Sequence, residues 1–156
     1  MGLDQYLHAT LYTSKAEWRG EEINKLYSDI INLTNASKFA IKSDYASASV
    51  EVMVAQWRKA NAIHQWFVDN CQNGEDDCRK TYVSRDDLQK LIALCKEVIE
   101  DKDKADDLLP TASGFFFGST DYDEYYFGDL VYTVETLEAL LNETPDNWDF
   151  QYSSSW

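Results

Sequence analysis

Apolar and polar residues alternate at the start of the chain. Leu3, Gln5, Leu7, Ala9 and Leu11 take one side, and Asp4, Tyr6, His8, Thr10 and Tyr12 the other. A period of two predicts a half-buried strand, with His8 on the face of Tyr6, Thr10 and Tyr12. Residues 16–34 switch to the helical period through Trp18, Ile23, Leu26, Tyr27, Ile30 and Ile31, with the regular helix starting near Glu21, after Gly20. From Phe39 to Ser49 the pattern fades into small polar residues, which predicts a flexible loop or hairpin arm. Val50, Val52 and Val54 restore alternation and predict a second strand.

Trp57, Ala60, Ile63, His64, Phe67, Val68 and Cys71 follow i, i+3, i+4, i+7 spacing, predicting a helix over 57–71 with His64 on its apolar stripe. A loop at 72–79 and a short strand at 81–83 come next. Ser84 is a fitting N-cap and Asp87 completes a capping box. The helix it starts buries Leu88, Leu91, Ile92, Cys95, Val98 and Ile99, then frays into the charged run 100–107 before Pro110 stops it. Phe115–Phe117, bracketed by Gly114 and Gly118, predicts a buried strand or packed turn. Thr120, with Asp123 three residues on, predicts the cap of a last helix that buries Tyr126, Leu130, Val134, Leu137 and Leu141. Trp148, Phe150 and Tyr152 alternate as a final strand, with 153–156 a loose tail. The whole predicts an α+β fold. One compact domain spans 1–152, with a small, mostly antiparallel sheet against about four helices.

Composition changes this picture mainly through charge. The net charge is −14, and residues 100–156 hold 14 acidic side chains against two basic ones, Lys102 and Lys104. Such a field repels nucleic acid, so direct nucleic-acid binding is not expected. It attracts a basic protein surface, including a nucleic-acid groove if the carboxylates imitate phosphates. The plain alternative is a solvated acidic surface. Three cysteines, Cys71, Cys78 and Cys95, form no CxxC and cannot all pair, and the start carries neither a basic region nor a long apolar run. The expectation is a cytoplasmic protein with reduced thiols and no membrane association.

Candidate chemistry concentrates in two stretches. WRKANAIHQWF brings together Arg58, Lys59, Asn61, His64 and Trp66, and two cations at a predicted helix start call for an outside carboxylate or ligand. The alternative there is a core of tryptophans with a satisfied, semi-buried His64. The second stretch is the turn Gly118, Ser119, Thr120 leading into Asp121, Tyr122, Asp123, Glu124 and Tyr125. A glycine turn before a helix can cradle phosphate. However, GFFFGST lacks the lysine of a nucleotide loop, and the acids that follow complement the helix end themselves. Calcium-loop spacing is also unmet. His8-Ala9-Thr10 has the H-x-T form of two-histidine phosphoesterases, but His64 is followed by Gln65-Trp66 and supplies no second copy. No catalytic residue, metal ligand or cofactor is assigned from these patterns.

The blocks MGLDQYL, WRKANAIHQWFVDN, GEDDCRKTYVSRDDLQKLIALC and LLPTASGFFFGSTDYDEYYFGDL resemble a widespread family of small bacteriophage and prophage proteins of unassigned activity. The resemblance spans residues 1–7 and most of 57–141. It implies a phage accessory protein acting in the host cytoplasm during infection, and carries over no site residues. The function it points to is counter-defence by binding without catalysis. Either the acidic, tyrosine-rich surface Asp121–Asp129 docks on a basic host defence protein, or the two stretches form a pocket that sequesters a nucleotide-like signal. A homo-oligomer is left open. The competing class is a small metal-assisted hydrolase of a nucleotide or similar molecule, using Asp121, Asp123 or Glu124 with His64.

Overall fold

The computed structural model describes residues 2–156. The fold is α+β, with a four-stranded antiparallel sheet in the order β2-β1-β4-β3. The strands are β1 (Asp4–Ser14), β2 (Ser47–Arg58), β3 (Thr81–Val83) and β4 (Trp148–Ser155). The helices among the described residues are α1 (Glu21–Leu33), α2 (Asn61–Cys71), α3 (Arg85–Glu100), the one-turn α4 (Ala105–Leu108) and α5 (Glu124–Glu143), with short 3-10 turns between some of them. The chain divides into two compact units, residues 1–9 with 53–156 and residues 10–52.

In the larger unit the core joins Leu7 of β1, Trp57 of β2, Ile63 and Phe67 of α2, Leu88, Leu91, Cys95 and Val98 of α3, Leu130 and Leu137 of α5, and Phe150 and Tyr152 of β4. Phe67 stacks on Tyr152 with ring centroids 4.0 Å apart. β3 pairs with β4 through Thr81↔Tyr152 and Val83↔Phe150, which turns Val83 and Phe150 to the same interior. A buried indole needs a hydrogen-bond acceptor, and Trp57 Nε1 finds it in Thr133 Oγ1 at 2.9 Å. Ser84 and Asp87 form the predicted capping box: Asp87 N–H donates to Ser84 Oγ at 3.0 Å and Ser84 N–H to Asp87 Oδ2 at 3.3 Å. Serine hydrogen bonding holds the Asp87 carboxyl below its ordinary value. Burial pushes the Cys71 and Cys95 thiols up to about 12, so both behave as small hydrophobes.

In the smaller unit, the outer parts of β1 and β2 pair through Lys15 N–H to Ala46 O at 2.8 Å, with Thr13 Oγ1 donating to Ala48 O at 2.9 Å. Tyr27 is the buried residue of α1.

Five local expectations are corrected. The helix predicted over 57–71 begins at Asn61, because β2 continues through Trp57 and Arg58 and a left-handed Lys59, at φ 61°, breaks the strand. The charged run 100–107 does not simply fray: Lys102–Lys104 and α4 continue the helical path, with Asp101 accepting from Asp103 N–H. The aromatic run 115–117 is the expected turn, closed by Phe117 N–H on Gly114 O at 3.2 Å, but it is not packed throughout: only Phe117 is buried, and Phe115 is 94% exposed. The cap of α5 is Asp123 and not Thr120, because the Asp123 carboxylate accepts from Tyr125 and Tyr126 N–H, both at 3.0 Å. Finally, residues 153–155 are strand and not a loose tail, with Ser154 buried.

Candidate ligand pocket

The pocket begins where β2 ends. Lysine rarely adopts positive φ, and the turn at Lys59 is held by its N–H donating to Leu3 O at 2.7 Å. Gly118, at φ 87°, lies against the same lysine: a Cβ there would sit 3.1 Å from Lys59 Cβ. Only glycine combines that backbone with that approach. Ala60 then caps α2 without a side-chain hydrogen bond, and no acidic residue stands in the first turn. The positive end of α2 is therefore not neutralised by its own sequence.

Asn61 ties this helix start to the loop that faces it. Its Nδ2 donates to Phe117 O at 3.0 Å and Ser119 O at 2.8 Å, and its Oδ1 accepts from Ala112 N–H at 3.0 Å. Thr111 Oγ1 closes the loop on Thr120 O at 2.9 Å, and Tyr126 Oη anchors its start on Leu109 O at 2.8 Å. Gly114 is required inside it, since a Cβ would fall 2.6 Å from the Phe117 ring.

Between these parts lies a pocket of about 450 Å³, a volume suited to a small organic ligand. Arg58 and Lys59 line it beside the α2 start; Thr111, Gly118, Ser119, Asp121 and Asp123 line it from the loop; Tyr125, Tyr126, Asp129 and Leu130 line it from α5. Ala60, Ala62 and Ile63 complete the apolar share of the wall. Among the described residues Lys59 makes no ion pair, and Arg58 has only a 3.7 Å contact to Asp4 with its own side chain mostly exposed. Asp123 is committed to capping. Asp129 is half-buried, and burial, then the Asp123 carboxylate, push its carboxyl up to about 6. The pocket thus holds two cations at the β2–α2 corner, the carboxylates of Asp121 and Asp123 on the loop side, and a half-buried carboxylate, Asp129, on α5.

Eight of the residues singled out in the sequence line this pocket: Arg58, Lys59, Asn61, Gly118, Ser119, Asp121, Asp123 and Tyr125. Four do not. His64 is 0% exposed, with Nδ1 2.8 Å from Tyr152 Oη and Nε2 2.9 Å from Asp76 Oδ2. Burial, then Asp76, hold the Tyr152 phenol well above its ordinary value, so it stays protonated. A Gln5 carbonyl 3.3 Å from Tyr152 Oη and an edge-on Phe117 ring seal the group. It is a satisfied buried network, not a reactive histidine. Trp66 is core, edge-on to Phe67. Thr120 contributes its backbone oxygen to the loop closure. Tyr122 donates to Asp106 Oδ1 at 2.8 Å, so its hydroxyl braces the loop from outside the pocket.

Sequence reasoning missed Thr111, and took Asp129 only as the end of an acidic docking surface, not as a pocket residue. For Asp129 a signal was present: it shares a helix face with Tyr126 and Leu130, where a carboxylate is out of place unless something meets it. Among the described residues no group of three or more His, Cys, Asp or Glu side chains is arranged to hold a metal ion, and no helix is long and apolar enough to cross a membrane. No family model, curated protein or solved structure matches the chain.

Proposed function

We propose that the chain is a small-molecule binding protein, its pocket built from the β2–α2 corner, the 110–123 loop and the first turns of α5. More particularly, we propose that it sequesters a nucleotide-like signal without altering it, and that a phage uses it in this way against a host defence. One observation carries the reading: two stretches some fifty residues apart in sequence, chosen for their chemistry, line one pocket. Arg58, Lys59 and the uncapped start of α2 supply a positive end for phosphate. Tyr125, 76% exposed at the rim, supplies a flat face for a base. In a protein of net charge −14, two cations placed side by side in a pocket are a selective feature. Docking of the acidic surface on a basic protein is less favoured, because Asp121 and Asp123 line the pocket and Tyr122 is held by Asp106.

The test is to mix the purified protein with cyclic, linear and ADP-ribose-derived nucleotides, remove free ligand, heat-denature the protein and analyse the supernatant. Intact nucleotide released only on denaturation supports sequestration, and Arg58→Ala with Lys59→Ala should abolish capture. Chemically altered nucleotide would replace this reading with a hydrolase. Absence of any capture, with a basic host protein retained instead, would replace it with protein docking.

A further inference from the structure

We infer that Asp129 reads the base of the bound nucleotide and selects guanine. This rests on the nucleotide reading above and adds the substrate class. Among the described residues the Asp129 side chain accepts no hydrogen bond, although its backbone oxygen takes one from Thr133 Oγ1 at 2.7 Å. It lines the pocket from a half-buried position on α5, one turn beyond Tyr125 and Tyr126. The neighbouring carboxylate, Asp123, has its Oδ1 occupied by two backbone amides. Asp129 is therefore a half-buried planar pair of acceptors with no hydrogen-bond donor from the described residues. A ligand that offers it two N–H donors gains a charge-assisted pair of hydrogen bonds at a site already partly withdrawn from water.

The chemistry of the bases decides which ligand can do so. A carboxylate asks for two adjacent N–H donors on one edge. Guanine has them, in N1–H and the exocyclic amine at C2. Adenine and cytosine present one amine beside a ring nitrogen acceptor, which a carboxylate oxygen repels. Uracil presents one N–H between two carbonyls. The cations come from a different element, the β2–α2 corner: Lys59 packs against Gly118, and Arg58 precedes it at the end of β2. Phosphate at that corner and base at Asp129 match the polarity of a nucleotide, with Tyr125 at the rim beside the base.

The experiment is titration calorimetry of the full chain with guanosine, adenosine and xanthosine monophosphates. The wild-type protein should bind the guanosine ligand about tenfold to a hundredfold more tightly than the adenosine one, the range a bidentate contact gives. Asp129→Asn presents one acceptor and one donor, which fit the N1–H and C2 carbonyl of xanthine. Guanosine monophosphate should then weaken by about tenfold or more, while xanthosine monophosphate tightens. That gain shows that the variant is folded. Arg58→Ala should weaken all three ligands alike. Nucleotide binding whose base preference Asp129→Asn leaves unchanged overturns this inference and spares the pocket reading. Failure of all three ligands to bind, at an unchanged melting temperature, overturns the inference; if the wider nucleotide panel also fails, the pocket reading falls with it.

Discussion

The two units of the chain put their apolar residues to opposite uses. Residues 53–156 with 1–9 place Phe67, Leu88, Leu91, Leu130, Leu137, Phe150 and Tyr152 in the interior. Residues 10–52 leave Trp18 70%, Phe39 80%, Ile41 73% and Leu33 85% exposed. Their charge differs as well. The smaller unit has six acidic and five basic side chains, leaving 22 and nine in the rest. Its surface is nearly neutral and apolar where the larger unit's is strongly acidic. Arg19 lies over the Trp18 ring at 4.3 Å and the Tyr12 ring at 5.7 Å, a surface cluster rather than a core. The difference teaches that apolar periodicity alone does not locate a core. A helical stripe needs a partner layer: α3 and α5 supply one to each other, whereas α1 buries only Tyr27.

This contrast breaks first on paired truncations. Phe67→Ala removes a fully buried ring stacked on Tyr152 and should cost about 3–5 kcal/mol in urea unfolding. Phe39→Ala removes an equally large ring from solvent and should change stability by about 0.5 kcal/mol or less. If Phe39→Ala costs as much as Phe67→Ala, the smaller unit has a core of its own and the comparison fails.

The second test concerns Asn61 of the larger unit, which makes three hydrogen bonds to the backbone of the 110–123 loop. Asn61→Ala strands Ala112 N–H and two carbonyls, those of Phe117 and Ser119, and should cost about 2–3 kcal/mol. Amide exchange should speed up over residues 111–120 while residues 10–52 exchange as before. Unchanged exchange at Ala112 would mean that the loop is held by Thr111 and Tyr126 alone.

Local signals in the sequence were readable and tertiary ones were not. The Ser84–Asp87 box is decided within four residues, and β1 alternates in fact as it does in sequence. Trp57 shows the limit. Its spacing to Ala60 and Ile63 imitates a helix, but the backbone is still strand there and reverses only at Lys59. No side-chain pattern announces a left-handed lysine. Thr120 and Asp123 are both good caps by residue type. The carboxylate at 123 wins because it reaches two amides. For His64, the type and the stripe were legible, but its partners were not: Tyr152 and Asp76 arrive from β4 and the 72–79 loop. The pocket itself was legible only as two suspect stretches. That they share one cavity follows from Asn61 binding across the gap, which spacing cannot reveal.

The smallest expected effect tests whether the larger unit holds strain at its pocket. The Asp129 carboxyl sits at about 6 in the folded chain because burial, and then Asp123, disfavour its charge. Unfolded, an aspartate titrates near its ordinary value of about 3.9. Between these values the folded state holds a proton that the unfolded state has lost, so stability falls as pH rises through roughly 4 to 6. The cost is fully present at pH 7 and absent below about pH 4. Asp129→Asn removes the charge and should stabilise the protein at pH 7 by on the order of 1 kcal/mol, discounted because the group is only half-buried. That corresponds to a rise of about 2–4 °C in Tm, with little difference from wild type at pH 4. An equal shift at both pH values would mean that Asp129 is fully hydrated. A gain confined to neutral pH would show that the charged Asp129 carboxylate costs folding energy where burial and Asp123 disfavour it, a cost that a ligand donating two hydrogen bonds offsets.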